Sequence, residues 1–207
     1  RYGDKSLGSA RGIKTDSGTS HLCVVDADGN AVALTTTVNT YFGSGLLTEK
    51  TGIVLNNEID DFSIASGQPN AFGLVQSDSN LVGPGKRPLS SMTPTLVLDG
   101  DRVVGCVGGS GGPRIISNTL QALLNVFAFS MDVRAAVSAS RIHHQWLPDQ
   151  VVVEADLVRD VRDALAKRGH KLKASAYATA VQMIVVDAKG IRAAASDPRK
   201  GVLPASQ

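Results

Sequence analysis

The chain is predicted to be an α+β protein in which two stacked sheets lie between layers of helix. Three observations lead there. Strand-like runs come first, helical periodicity fills the middle, and strand-like runs return at the end. The early runs do not alternate cleanly between apolar and polar residues, which is the pattern of strands covered on both faces. At 207 residues, 43% hydrophobic and 19% charged, the chain is one domain by length, can bury most of its apolar surface, and lacks the composition of a disordered protein.

Each element has its own justification. Arg1–Gly18 is polar and turn-rich, with charges of both signs, and is expected to be a linker or the tail of something longer; residues 19–207 form the body. Ser20–Asp26 and Ala31–Val38 flank Asp28-Gly29, a strong hairpin signal. Gly52–Leu55 is a short apolar run ending in Asn56-Asn57. Phe62–Arg87 is rich in Gly, Pro, Ser and Asn, and a loop so long in a compact domain is usually functional, often a lid. Thr95–Leu98 and Val103–Val107 pair across Asp99-Gly100-Asp101. The glycine run Gly108–Gly112 leads into a helix from about Pro113 to Ser130. Proline suits its first turn, and Ile115, Ile116, Leu120, Leu123, Leu124 and Phe127 give it a broad apolar face. A short helix over Val133–Ser138, a strand at Val151–Glu154 and an amphipathic helix over Asp156–Arg168, closed by Gly169, come next. Gln182–Val186 and Ile191–Ala195 form a last hairpin across Lys189-Gly190. There is no internal repeat.

Composition excludes several classes of function. A net charge of +2 without a dense basic run leaves no electrostatic footprint for nucleic acid. No apolar run reaches the roughly 18 residues that would read as a membrane span. Cys23 and Cys106 sit in apolar strand-like segments and read as small buried hydrophobes rather than a disulfide or redox pair. No Cys/His cluster has zinc-ligand spacing. His143-His144 invites a metal reading, but neighbours on an extended segment point to opposite faces, so packing and hydrogen bonding are expected there. No metal and no cofactor are expected.

The chemistry starts at Thr19-Ser20-His21. A threonine before a buried strand is chemically active only if the chain is cut in front of it. Its freed α-amine can then act as base for its own hydroxyl, so that one residue supplies both nucleophile and base. Gly108-Gly109-Ser110-Gly111-Gly112-Pro113-Arg114 runs from a strand to a helix N-terminus. It lacks the GK[ST] of a phosphate loop and the spacing of a dinucleotide fingerprint. Two successive glycine N–H groups suit a developing oxyanion, and a tight structural turn is the alternative. Asn57-Glu58-Ile59-Asp60-Asp61 places three carboxylates where a substrate ammonium or a metal could sit; an ordinary solvated turn also fits. Ser90-Ser91, between Pro88 and Pro94, offers paired hydroxyls that could hold a small anion such as a carboxylate.

In this order the motifs resemble the small, C-terminal subunit of the γ-glutamyltranspeptidases, members of the N-terminal-nucleophile hydrolase superfamily. They are Thr-Ser-His with VVDADGNAVALTTTVNTYFGSG, then GIVLNNEIDDFS and GKRPLSSMTPT, then GGPRI, RIHHQWLP and ASDPR. The resemblance covers about Thr19 to Arg199. It implies a four-layer αββα sandwich of which this chain supplies roughly the C-terminal half. It further implies a precursor that cleaves itself before Thr19 and a large-subunit partner that stays bound. Thr19 would carry the γ-glutamyl group as an ester and Thr37 would orient it. Asn39, Glu58 and Asp61 would hold the α-amino end of the glutamyl group, and Ser90 and Ser91 its α-carboxylate. The Gly111 and Gly112 N–H groups would stabilise the oxyanion, and Phe72 would sit in the lid. The implied activity is γ-glutamyl transfer from glutathione and related amides to water or to amino-acid and peptide acceptors. A periplasmic or secreted location is implied as well. With Arg1–Gly18 still attached, Thr19 has no free amine, the pocket is expected to be blocked, and the chain is expected to be inactive.

The chain also departs from the pattern. Many members read Gly-Ser-Pro-Gly-Gly-Ser-Arg where this one places Ser110 before the glycine pair and Pro113 after it. A proline has no N–H, so the turn is altered. Phe72 stands where many bacterial members have a lid tyrosine. The family's Gly-Ser-Thr-Gln appears as Thr179-Ala180-Val181-Gln182. The arginine that grips the α-carboxylate belongs to the large subunit. Two alternatives follow: an acylase of the same superfamily acting on glutaryl amides or poly-γ-glutamate, and a catalytically silent relative that only binds γ-glutamyl compounds.

Overall fold

The first hairpin forms at Asp28-Gly29. Strand β1 (Thr19–Val25) pairs antiparallel with β2 (Ala31–Thr37), with Thr19 opposite Thr37 and Leu22 opposite Leu34. Gly29 takes a φ of 89°, which costs glycine nothing, and the Asp26 carboxylate accepts from the Asn30 backbone and side-chain N–H groups. The computed structural model describes residues 18–175, 179–200 and 203–205. The expected linker, its Gly18 apart, and any blocking of the pocket by it therefore lie outside the described residues.

The remaining elements are β3 (Thr95–Asp99), β4 (Arg102–Ser110), α1 (Arg114–Phe127), α2 (Val133–Ser138), β5 (Ile142–His143), β6 (Val151–Glu154), α3 (Arg159–Lys167), β7 (Leu172–Ser175), β8 (Ala180–Val186) and β9 (Arg192–Ser196). They build a second, four-stranded antiparallel sheet in the order β3-β4-β8-β9 and a smaller one in the order β5-β6-β7. Alternation along β4 separates the layers. Cys106 and Gly108 face the β1–β2 hairpin: the Cys106 thiol meets the Val32 carbonyl at 3.3 Å, and the His21 ring covers Gly108. Gly105 and Val107 face α1 and α2. There Val107, Val181, Met183 and Ala195 close on Ala122, Val133 and Val137 as the buried core. The order is hairpin, four-stranded sheet, helices, and among the described residues no helix covers the outer side of the hairpin.

That missing cover explains the strands' composition. Leu22, Val24, Val32 and Leu34 point outward and are 44–53% exposed, so runs that are apolar on both faces are covered here on one only. Helix α1 shows the same economy. It is shorter than expected, buries Ile115 and Ala122 with Asn118 and Thr119, and leaves Ile116, Leu120, Leu124 and Phe127 exposed. The sheet reaches only one side of the cylinder; Ile116, Leu120 and Leu124 lie away from it, while Phe127 lays the edge of its ring on Gly105 and leaves the rest exposed. Among the described residues no helix is long and apolar enough to cross a membrane.

One further expectation needs correction, and two segments gain detail. Most of the glycine run is strand, not turn: β4 continues through Ser110, which pairs with Ala180, and only Gly111-Gly112 make the turn into α1. Gly109 is small because the Ala180 carbonyl would lie 2.5 Å from a Cβ there. β7 was not foreseen. Its Leu172-Lys173-Ala174-Ser175 offers little apolar signal, yet it runs parallel to β6 after the α3 crossover. Phe62–Arg87 forms no long element, but single bridges pin it at Ser63 to Leu81 and Pro69 to Val75.

Candidate active site

The open end of the hairpin sets the floor of a pocket. Thr19 and Thr37 face each other there with their hydroxyl oxygens 2.8 Å apart, and Thr19 is buried. The Thr37 oxygen also accepts from the Asn39 backbone N–H at 2.7 Å, which fixes it between strand end and loop. Asn39 takes a φ of 73°, a left-handed conformation that asparagine tolerates better than most residues. Its side-chain amide donates to the Asn57 carbonyl at 3.2 Å, and the Asn57 side chain accepts from the Thr40 backbone N–H and hydroxyl. These bonds hold the end of β2 against the acidic turn. The Lys200 ammonium donates to the Thr19 carbonyl at 2.8 Å, and the Gly18 carbonyl accepts from the Val38 N–H at 3.2 Å.

Glu58 and Asp61 are carried on a single 3-10 turn, Glu58–Asp61, whose end is secured by buried Phe62 and by the Asn80 amide on the Asp61 carbonyl at 2.7 Å. Burial pushes the Asp61 carboxyl up to about 7, helped by the neighbouring charge of Glu58; burial pushes Glu58 up as well. One Glu58 oxygen is buried without a hydrogen-bond partner among the described residues. Two carboxylates disfavoured in their charged form, one with an unclaimed oxygen, make a site that a cation would stabilise.

The other wall is the turn from β4 into α1. Gly111 and Gly112 have φ of 138° and 59°, and no described group accepts a hydrogen bond from either N–H. Backbone donors in such positions are normally claimed, so a ligand is the natural acceptor. A Cβ on Gly111 would lie 2.7 Å from the Thr179 hydroxyl, and one on Gly112 2.9 Å from the Phe72 ring. Phe72 thus lies over the turn.

The structure brings Thr19, Thr37, Asn39, Glu58, Asp61, Phe72, Ser90, Ser91 and Gly112 around one shallow, solvent-open cleft. Gly111 is buried just behind this lining, against Thr179. Met92, Pro113 and Ile115 line it too. Sequence reasoning gave these last three no place in the pocket, nor Lys200, although Met92, Pro113 and Ile115 lie within the GKRPLSSMTPT and GGPRI motifs. His21 does not reach the cleft. It bonds the Thr35 hydroxyl at 2.7 Å, covers Gly108, and is pushed down to about 4 by burial, hence neutral. His143 is buried between the Ser117 hydroxyl (2.9 Å) and the Gln145 side chain (3.1 Å), while His144 lies near Asp149. Among the described residues no cluster could hold a metal ion.

Comparison with known proteins shows the family. A family model described as gamma-glutamyltranspeptidase matches residues 3–205. A glutathione hydrolase proenzyme of Escherichia coli (strain K12) is 46% identical over 87% of this chain and 31% of its own length. The chain therefore spans about a third of the length of the curated relatives it matches first. Among solved structures, the gamma-glutamyltranspeptidase of Pseudomonas nitroreducens complexed with L-DON superposes with a TM-score of 0.84 at 42% identity, over 90% of this chain and 99% of the other. A mutant of the Helicobacter pylori gamma-glutamyltranspeptidase gives 0.83 at 44% identity, over 86% and 98%.

Proposed function

The chain belongs to the gamma-glutamyltranspeptidase family, and from that premise we propose that it carries the catalytic half of a γ-glutamyltransferase and glutathione hydrolase. The observation that carries the proposal is the cleft itself. The Thr19 hydroxyl, 2.8 Å from that of Thr37, sits where a carboxylate pair, a serine pair and a turn with unclaimed N–H groups converge. A γ-glutamyl group needs each of these: a nucleophile at its carbonyl, negative charge at its α-ammonium, hydroxyl donors at its α-carboxylate and N–H donors at its oxyanion.

The steps follow from these positions. The Thr19 oxygen attacks the Gly18 carbonyl carbon, the carbonyl that accepts from the Val38 N–H. The amide nitrogen leaves as the Thr19 α-amine, and water hydrolyses the resulting ester. The freed amine then takes the proton of the Thr19 hydroxyl as the oxygen attacks the γ-carbonyl of glutathione. The tetrahedral oxyanion is held by the Gly111 and Gly112 N–H groups. Its collapse expels the amine of the leaving peptide, which takes the proton and leaves a γ-glutamyl ester on Thr19. Water or an acceptor amine, deprotonated by the same α-amine, releases the acyl group. Glu58, Asp61 and Asn39 orient the ammonium throughout, and Ser90 and Ser91 the carboxylate.

The proposal includes the large subunit of the same precursor as partner. Its place is the uncovered outer face of the hairpin and the exposed stripe of α1. Leu22, Val24, Val32 and Leu34 alone leave on the order of 3–6 kcal/mol of apolar burial unrealised. The test is turnover of γ-glutamyl and glutaryl anilides by the full precursor, beside its Thr19→Ala variant. Preference for the γ-glutamyl anilide with total loss in the variant is expected; preference for glutaryl, or activity without the threonine, overturns it.

A further inference from the structure

We propose that Gln145 is a positioning residue that ties the Phe72 segment down over the Gly111-Gly112 turn, through a hydrogen-bonded chain rooted on α1. The inference rests on the reading of the cleft as a γ-glutamyl site with Phe72 in its lid. The Gln145 side-chain amide donates to two main-chain carbonyls, those of Phe72 at 3.3 Å and Leu147 at 3.2 Å. With both N–H groups spent on carbonyls, which can only accept, the Gln145 oxygen must accept from the His143 Nε2, 3.1 Å away. Burial pushes His143 down, which keeps it neutral, so its Nδ1 accepts from the Ser117 hydroxyl at 2.9 Å, in preference to the more distant Arg114 carbonyl at 3.2 Å. Ser117 lies in the first turns of α1, the helix that Gly111-Gly112 begin.

The connections close a ring. From the glycine turn the path runs along α1 to Ser117, through His143 and Gln145 to the Phe72 carbonyl. The Phe72 ring returns to Gly112, 2.9 Å from where a Cβ would stand. The far side of the segment is fastened separately. The Ala71 N–H donates to the Asp60 carboxylate at 2.9 Å, on the turn that carries Glu58 and Asp61. Asn70 caps the bend by accepting from the Phe72 and Leu74 N–H groups, each at 3.0 Å. The Asp60 anchor joins the lid to the ammonium side of the cleft, and Gln145 joins it to the oxyanion side. A single long hydrogen bond to Gln145 is strong enough to bias the segment shut and weak enough to release it when substrate enters.

The experiment uses the processed two-subunit enzyme with Gln145→Glu and Gln145→Ala. Glutamate keeps the acceptor for His143 and removes the donors to Phe72 and Leu147, so it cuts the tether without breaking its root on His143 even if alanine perturbs folding. Hydrogen exchange of residues 70–74 and KM for a γ-glutamyl anilide are measured together. Loss of one such bond is expected to raise both the exchange rate and KM about fivefold in each variant, with kcat and melting temperature little changed for glutamate. Unchanged exchange at 70–74 in the Glu variant overturns the proposal, whatever happens to activity. A fall in kcat alone also overturns it. Exchange needs no turnover, so a wild-type enzyme that releases no γ-glutamyl product refutes the proposed function and still leaves the tether decided.

Discussion

Replacing Asp61 by asparagine removes one charge from the cleft while keeping its shape. The wild-type carboxyl is held up at about 7 by burial and by Glu58. Its ordinary value is near 3.8, so in the empty cleft the ionised form is disfavoured, and an arriving ammonium is what restores it. A hydrogen bond to a charged partner contributes about 1.5–3 kcal/mol, so Asp61→Asn should cost roughly 10- to 150-fold in kcat/KM for a γ-glutamyl anilide. A glutaryl anilide lacks the α-amine and should lose little. The ratio of the two substrates is the quantity to follow, because titration of the Thr19 α-amine affects both alike and cancels. The sign with pH is fixed: Asp61 protonates as pH falls through about 7, and each unit below that should cut the wild-type ratio by about tenfold until it meets the asparagine variant. The variant's ratio should be flat across the same range. An unchanged ratio in Asp61→Asn, or a wild-type ratio indifferent to pH, would refute the assignment of the ammonium site.

Three other perturbations follow from the same geometry. Gly111→Ala sets a Cβ 2.7 Å from the Thr179 hydroxyl at a φ of 138° that side chains rarely adopt. The turn must shift, and steady-state kinetics should show kcat reduced by about 10²–10³ with KM little altered. Thr37→Val removes the hydroxyl beside Thr19 and orphans the Asn39 N–H. A loss of about 1–3 kcal/mol, roughly 5- to 150-fold, is expected in kcat, with melting measured alongside to separate folding from chemistry. Asp197→Asn leaves the buried guanidinium of Arg141, now 2.7 Å from the carboxylate, without its counter-charge and weakens Arg199 as well. Denaturant unfolding should show a cost of about 3–5 kcal/mol.

Sequence reading reached most of the cleft because the residues concerned stand in short local motifs. Thr19 through Asn39 form one hairpin, Glu58 and Asp61 one turn, and Ser90-Ser91 one dipeptide, and it was the family resemblance that joined these motifs into one site. Contacts made across the fold were not legible. Lys200 reaches Thr19 from the far end of the chain, and Thr179 underlies Gly111 only because β8 pairs with β4. The glycine run misled for a physical reason: Gly108 and Gly109 are small to admit the His21 ring and the Ala180 carbonyl, a packing demand that looks like a turn in one dimension. The half-exposed faces of the hairpin and α1 were not legible either, because an apolar run looks the same whether its cover comes from its own chain or from outside it.

Everything chemical in this account depends on Thr19 acquiring a free amine. The most direct test is the intact mass of the full precursor, large-subunit region included, after incubation near neutral pH. Two fragments are expected, the smaller beginning at Thr19, with a single uncut mass in Thr19→Ala. A wild-type precursor that stays whole, or is cut elsewhere, would contradict it.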